Sequence, residues 1–287
     1  MQPLSRATLG PIERLEAING PAGKLQEWVG KLIPQGSSLK DLLSGTWLGH
    51  PLHPPLTDVV VGAWTSASLL DVLAPVSGRK GADRLVAIGV LAAIPTAASG
   101  LSDWAELWGS QQRIGAVHAV GNVTAVYLQM KSWWARKRGR RAKGVFLSMA
   151  AMGLATYTAY LGGHLSFRKG VGVSQTAFEE WPQEFTPAIG VDDLPEGKLH
   201  RAEVGGMGVL LYRQGSRIHA LADRCTHRGC SLSDGETDGS SVTCPCHGSM
   251  FRLEDGEILR GPATAPAPSF QVRRREGKVE VRIPAPS

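Results

Sequence analysis

The stretch from residue 225 to residue 249 most constrains the fold, because it carries all four cysteines of the chain. Cys225 and His227 are two residues apart, Cys244 and His247 are three apart, and 16 residues separate the two pairs. Two thiolates and two imidazoles in this pattern suit a [2Fe–2S] cluster, with both sulfurs on one iron and both nitrogens on the other. The chain is then expected to present two facing loops that hold the cluster from either side.

Tetrahedral zinc is the alternative for the same ligand set. Zinc fingers usually pair Cys with Cys and His with His, whereas each loop here offers one of each. Gly229, Pro245 and Gly248 favour tight turns over a helix. A disulfide scaffold fits poorly, because such scaffolds are small secreted domains. The pattern therefore favours an iron–sulfur cluster over zinc.

On these motifs, the C-terminal part of the chain resembles the Rieske family, and specifically its high-potential branch. The resemblance implies that Cys225 and Cys244 bind the inner iron. It implies that His227 and His247 bind the outer, more exposed iron, where they can take up protons when the cluster is reduced.

The same resemblance assigns roles to residues around the cluster. The high-potential branch carries two further cysteines that form a disulfide, and they match Cys230 and Cys246. Ser249 matches a serine whose hydroxyl donates to a cluster sulfide and raises the potential. Phe251 replaces a tyrosine donor, which should lower the potential. Arg228 replaces a leucine that packs into the quinol pocket of bc-type complexes, so we expect a role outside such a complex.

Four apolar segments precede this domain. Leu85–Ser102 is uncharged for 18 residues, Ile114–Met130 for 17 and Val145–Phe167 for 23, while Pro55–Pro75 carries an Asp near each end. These lengths approach or reach what a bilayer requires, and abundant small residues suit helix packing in lipid. They predict four transmembrane helices, with a soluble helical bundle as the alternative.

Tryptophans and basic loops favour the membrane interpretation. Trp residues at the segment ends resemble an aromatic belt: Trp104, Trp108, Trp133 and Trp134. Basic residues concentrate in the first and third loops, at 79–84 and 131–143, and the middle loop has only Arg113. The positive-inside rule then places both termini and the Rieske domain on the outer face of the cell membrane. A disulfide persists in that oxidising compartment.

A folded cluster domain on the outer face requires an export route. No cleavable signal peptide is visible in the first 30 residues. Arg140 and Arg141 precede the last helix, and one hypothesis is that they direct twin-arginine export. The simpler interpretation is that both anchor a cytoplasmic loop.

Four histidines fall within or beside the apolar segments, in the same leaflet and on the Rieske side: His50, His53, His118 and His164. Imidazoles at membrane depth are costly and usually functional. They predict a haem b or quinol site, with helix capping as the alternative. The HPLHP, HAVGN and GGHL motifs around them also resemble a four-helix membrane family of unassigned function.

The predicted fold is therefore an α+β two-domain chain with an N-terminal four-helix transmembrane bundle and a C-terminal all-β Rieske-type domain. The expected boundaries are a peripheral segment at 1–47, the membrane domain at 48–167, a linker at 168–183 and the Rieske domain at 184–287.

We expect a membrane-anchored one-electron carrier that passes electrons from a membrane donor, quinol or haem, to an outer-face acceptor. The expected partners are the lipid bilayer and redox proteins or quinone. The first 171 residues are basic, but their charges lie in loops between apolar segments, so nucleic acid is not expected. The alternative is a Rieske ferredoxin-type donor to an oxygenase or reductase system. Whether the chain is an enzyme by itself stays open, because no nucleophile or general base stands out.

Overall fold

Long helices form where the sequence is apolar and uncharged. The computed structural model describes residues 4–284. Within them, seven α-helices follow in chain order: α1 (Leu4–Glu13), α2 (Asn19–Leu32), α3 (Ser38–Ser44), α4 (His53–Leu73), α5 (Arg79–Trp104), α6 (Gly109–Lys137) and α7 (Arg141–Phe167). The predicted count of four is too low, because three short helices precede the four long ones.

The long helices α4 to α7 coincide with the four apolar segments. Among the described residues, α4, α5 and α7 are long and apolar enough to cross a membrane by length and composition. Helix α6 does not reach that threshold, because polar side chains such as His118, Asn122 and Gln129 interrupt its uncharged stretch. Whether the membrane part has three or four spans therefore depends on whether α6 crosses the membrane.

The contacts divide the chain into two units, and the chain passes between them three times. The helical unit comprises the chain up to Ile33 together with Leu52–Lys169. The β-unit comprises Pro34–Pro51 and the chain from Gly170 onward. The β-unit thus includes α3, from the part of the sequence expected to be a peripheral N-terminal segment.

Glycines allow the helices of the helical unit to approach closely. A Cβ atom at Gly89 would overlap the indole of Trp64, and one at Gly121 would overlap the methyl group of Thr158. Both sites join neighbouring helices, so side chains of one helix rest directly on the backbone of another. This is the packing that the Gly- and Ala-rich composition predicts.

A buried ion-pair network joins the four long helices. Arg136 of α6 forms a two-pronged ion pair with Asp71 of α4, and its Nη1 lies 3.2 Å from Asp83 of α5. Arg141 of α7 contacts the same two carboxylates, at 2.6 and 3.0 Å. The side chains of Arg136 and Asp71 are fully buried. Arg141 therefore ties α7 to α4 and α5, whereas Arg140 is exposed and takes no part in the network.

The β-unit, as described to residue 284, contains ten strands in three antiparallel sheets. In chain order the strands are β1 (Thr186–Gly190), β2 (Leu199–Val204), β3 (Met207–Gln214), β4 (Arg217–Ala222), β5 (Glu236–Thr237), β6 (Ser241–Thr243), β7 (Met250–Arg252), β8 (Ile258–Arg260), β9 (Gln271–Arg275) and β10 (Lys278–Arg282). The sheet orders are β1-β10-β9, β2-β3-β4 and β5-β6-β7-β8. The all-β C-terminal domain is confirmed, with one Cys/His motif following β4 and the other joining β6 to β7.

Candidate iron–sulfur site

The first Cys/His loop is a tight turn closed by its own backbone. The amide of Cys225 donates to the carbonyl of Cys230 at 2.8 Å, and the amide of Gly229 donates back to the carbonyl of Cys225 at 2.8 Å. Gly229 has a φ of +78°, a left-handed conformation that glycine adopts without steric cost. The turn holds Cys225 and His227 in a fixed relation.

The second loop repeats this construction at the end of the β6–β7 hairpin. The amide of Cys244 donates to the carbonyl of Ser249 at 2.8 Å, and the amide of Gly248 donates to the carbonyl of Cys244 at 3.1 Å. Gly248 has a φ of +73°. The two loops therefore share one backbone turn with the Cys at its first position, and the His follows two residues later in the first loop and three later in the second.

The structure brings the two predicted imidazoles together and the two predicted thiols together. The ring centroids of His227 and His247 lie 5.1 Å apart with the planes at 89°, and the Nδ1 atoms are buried. Cys225 and Cys244 are 1% and 3% exposed, and neither is in a disulfide. Two buried thiols and two adjacent imidazoles form a donor set that fits a [2Fe–2S] cluster.

The two candidate thiol ligands interact directly. The thiol of Cys225 donates a hydrogen bond to the sulfur of Cys244, which lowers the pKa of Cys244 to about 7. The same contact, together with burial, raises the pKa of Cys225. Thiolates are the metal-binding form of cysteine, and this contact places the two sulfurs within hydrogen-bonding distance of each other.

A disulfide joins the two loops, between Cys230 and Cys246. This is the predicted pairing, and it is confirmed. Phe251 is fully buried in the core behind the loops, and Arg228 is half-buried on the first loop. Ser249 is also fully buried, and its Oγ accepts a hydrogen bond from the amide of Ala263 at 3.0 Å. Its own hydroxyl proton then remains available for a second acceptor.

The proline-rich loop (261–268) is held by residues that the sequence analysis did not single out. Thr226 Oγ1 donates to the carbonyl of Ala265 at 2.7 Å. Asp41 and Thr46 bind the other end of the loop, from far upstream in the chain. Residue spacing offers no signal for contacts between positions more than 200 residues apart.

Two of the four membrane histidines lie close together. The rings of His53 and His118 are 6.4 Å apart between centroids. The Nδ1 of His53 lies 3.0 Å from the carbonyl of Thr96, and the Nδ1 of His118 lies 2.8 Å from the carbonyl of Thr158. Asn122 contacts the Nε2 of His118 at 2.9 Å. This polar cluster lies among α4, α5, α6 and α7.

The other two membrane histidines have different surroundings. His164 lies 3.8 Å from the carboxylate of Glu13, which also pairs with Lys169 at 2.7 Å. His50 belongs to the β-unit and is exposed. Within the helical unit, the structure therefore groups His53 with His118.

Two family descriptions match the chain. Residues 184–271 match the Rieske [2Fe-2S] domain, and residues 49–175 match a family described as "Predicted membrane protein (DUF2231)". Both resemblances found in the sequence are thereby confirmed.

Curated relatives and solved structures match the C-terminal part. Ferredoxin CarAc of Metapseudomonas resinovorans is 38% identical over 90 residues, which are 31% of this chain and 84% of the relative. The 3-phenylpropionate/cinnamic acid dioxygenase ferredoxin subunit of Escherichia coli (strain K12) is 34% identical over 98 residues, 34% of this chain and 92% of the relative. A chain in the structure "Complex of reduced oxygenase and oxidized ferredoxin in carbazole 1,9a-dioxygenase" is 35% identical, with a TM-score of 0.32, over 35% of this chain and 94% of that one. The chain belongs to the Rieske [2Fe-2S] family, and the residues that match the DUF2231 description precede its Rieske domain.

Proposed function

We propose that this protein is a membrane-anchored one-electron carrier, whose Rieske cluster takes an electron from a donor in the membrane and passes it to an acceptor on the outer face. The carrying observation is the pairing of two buried thiols and two adjacent imidazoles on disulfide-joined loops. In the part of the chain that the structure describes, three helices are also long and apolar enough to cross a membrane.

Each candidate ligand has a distinct task in this proposal. Cys225 and Cys244 hold the inner iron as thiolates and are shielded from solvent. His227 and His247 would hold the other iron, and their rings are half-buried, so this is the side of the site that a redox partner could reach. When bound, the cluster supplies reversible one-electron chemistry.

The proposed donor site is the polar cluster around His53 and His118, where haem b or quinol would bind. Both rings have Nδ1 beside a backbone carbonyl. In metal-binding histidines, that contact orients the ring and leaves Nε2 for the metal. The Nε2 of His118 lies 2.9 Å from Asn122, so haem ligation by His118 requires the Asn122 side chain to move away. An absorption spectrum and bound-quinone analysis of the purified full-length protein test this proposal. Absence of both haem and quinone after expression with haem supply would reject it, whereas a His118→Leu variant should lose whichever is found.

The proposed topology has four spans, with α6 shielded by its neighbours and the Rieske domain outside. Arg136 and Arg141 are neutralised by carboxylates. The other five of the seven basic residues at 131–143 are not part of the ion-pair network. By the positive-inside rule, these five residues place the third loop in the cytoplasm. Protease treatment of intact cells tests the orientation, because an outer Rieske domain would be cleaved and a cytoplasmic one protected.

A ferredoxin-type donor to an oxygenase or reductase is the second candidate. It is favoured by the names of the curated relatives, since one is a ferredoxin and the other is the ferredoxin subunit of a dioxygenase. The Cys230–Cys246 disulfide favours the first candidate, because we expect it in the high-potential branch. A midpoint potential well above zero supports the carrier, and a strongly negative one supports the ferredoxin role.

A further inference from the structure

Segment 34–51 precedes the membrane helices in sequence, yet it lies against the proline-rich loop within the β-unit. Asp41 Oδ1 accepts a hydrogen bond from the amide of Gly261 at 2.8 Å. Thr46 Oγ1 donates to the carbonyl of Ala263 at 3.1 Å. Two consecutive parts of the segment, α3 and the turn after it, therefore hold one end of the loop.

The contact is too close to admit a side chain at Gly261. A Cβ atom there would overlap Thr46 Oγ1 and lie 3.0 Å from Asp41 Oδ1. Close approach of this kind needs glycine. Segment 34–51 thus packs directly against the backbone of the proline-rich loop at Gly261.

The contact continues to the candidate cluster through Ala263. The carbonyl of Ala263 binds Thr46, and its amide donates to Ser249 Oγ at 3.0 Å. Ala263 and Ser249 are both fully buried. Because the amide occupies a lone pair of Ser249 Oγ, it fixes the direction in which the Ser249 proton can point.

We propose that Thr46 is a positioning residue for Ser249, so that segment 34–51 raises the midpoint potential of the cluster. Thr46 fixes Ala263, Ala263 orients the Ser249 hydroxyl, and that hydroxyl donates toward the cluster. Groups that orient hydrogen bonds at a metal centre tune its properties without contacting the metal. The proposal needs the Rieske cluster but not the membrane donor, so it can fail or succeed independently of the proposed function.

Redox titration of the full-length protein in detergent, followed by electron paramagnetic resonance, tests the proposal. Thr46→Val removes the hydroxyl but keeps the side-chain shape. We expect the equilibrium constant for cluster reduction to fall about threefold, which is about 28 mV at 59 mV per tenfold. Thr46→Ser, which keeps the donor, should restore the wild-type value. Thr186→Val makes the same change in β1, at a hydroxyl that donates to the carbonyl of Glu184 and not to the loop, and should leave the potential unchanged.

A double-mutant cycle separates positioning from a general effect of the segment. In a Ser249→Ala background, Thr46→Val should have no further effect, because the hydroxyl that it orients is already gone. An equal shift in both backgrounds, or no shift in either, would overturn the proposal. Iron content is measured in every variant. If Thr46→Val does not retain iron, Thr46→Ala is titrated in its place, and the same two outcomes decide.

Discussion

At the scale of single residues, the candidate site depends on groups that hold or orient the ligands. The Cys/His spacing predicted both ligand pairs, because short tight turns fix side chains that are two or three residues apart. Ser249 was identified through its resemblance to a family position, and the structure adds its partner, Ala263. Nothing comparable in the sequence indicates that Thr46 and Asp41 belong to the site. Their role depends on a tertiary contact with the proline-rich loop, which local sequence does not encode.

Replacing Ser249 by Ala should lower the midpoint potential of the cluster. A hydrogen bond to a charged group contributes about 1.5–3 kcal/mol, and losing it from the reduced state corresponds to roughly 65–130 mV. Redox titration measures the shift, with Ser240→Ala on the exposed turn after β5 as the control. An unchanged potential in S249A with full iron content would show that the hydroxyl does not reach the cluster.

Asp238 predicts a pH dependence of stability that is independent of the cluster ligands. Its carboxylate accepts hydrogen bonds from the amides of Ser240 and Ser241, which lower its pKa to about 2. The unfolded value is about 3.9. The stabilisation is therefore fully present above about pH 4 and lost as the pH falls toward 2.

Thermal unfolding of the wild type and of Asp238→Asn measures this effect. Asparagine keeps an acceptor oxygen but does not titrate. We expect the Tm advantage of the wild type to shrink between pH 4 and pH 2, and a constant difference across that range would contradict the assignment.

At the scale of elements, the sequence predicts the positions of helices and strands better than the contacts between them. The uncharged stretches located α4 to α7, and alternating apolar and polar residues at 209–213, 218–221, 270–273 and 279–283 predict β3, β4, β9 and β10. The short helices α1 and α3 were not identified, because neither has a long apolar period. The partners of Asp71 were also missed: the sequence marks it as an acidic residue near a segment end, whereas packing buries it against Arg136 and Arg141.

Breaking the ion-pair network should destabilise the helical unit. Arg136→Met leaves the buried carboxylate of Asp71 without its two-pronged partner, and such changes cost about 3–5 kcal/mol. Unfolding in mixed detergent micelles measures the loss. Arg140→Met is the matched control, since Arg140 is an exposed arginine of the same loop. Equal stability of the two variants would argue against a structural role for the network.

Removing the disulfide should loosen the two cluster loops. It closes a loop with a sequence separation of 16 residues, and a loop of about 15 residues corresponds to about 3 kcal/mol. The double variant Cys230→Ser/Cys246→Ser should therefore unfold at lower denaturant concentration and release iron faster than the wild type. Identical denaturation curves for variant and wild type would contradict this expectation.

At the scale of the whole molecule, the chain joins a Rieske domain to a helical domain of a predicted membrane family. The sequence predicted this pairing, since cysteine spacing and uncharged runs are both local signals. It did not predict that segment 34–51 belongs to the β-unit, which makes the chain pass between the units three times. The two ferredoxin relatives named above match only 31% and 34% of this chain, so they give no counterpart for the helical domain.

Membrane attachment is a property of the whole chain. If α4 to α7 cross the bilayer, the protein should stay in the membrane fraction after a high-salt and alkaline wash, and detergent should release it. A chain that begins at residue 170 is not a suitable control, because segment 34–51 is part of the β-unit. Recovery of the full-length protein in the wash would contradict the four-span proposal.

The central claim is that Cys225, His227, Cys244 and His247 hold a Rieske cluster that works as a high-potential one-electron carrier. Its most direct test is an anaerobic redox titration of the purified full-length protein, followed by electron paramagnetic resonance and accompanied by metal analysis. The account predicts two irons per chain and a reversible one-electron signal with a midpoint well above zero. Zinc in place of iron, or a strongly negative midpoint, would contradict it.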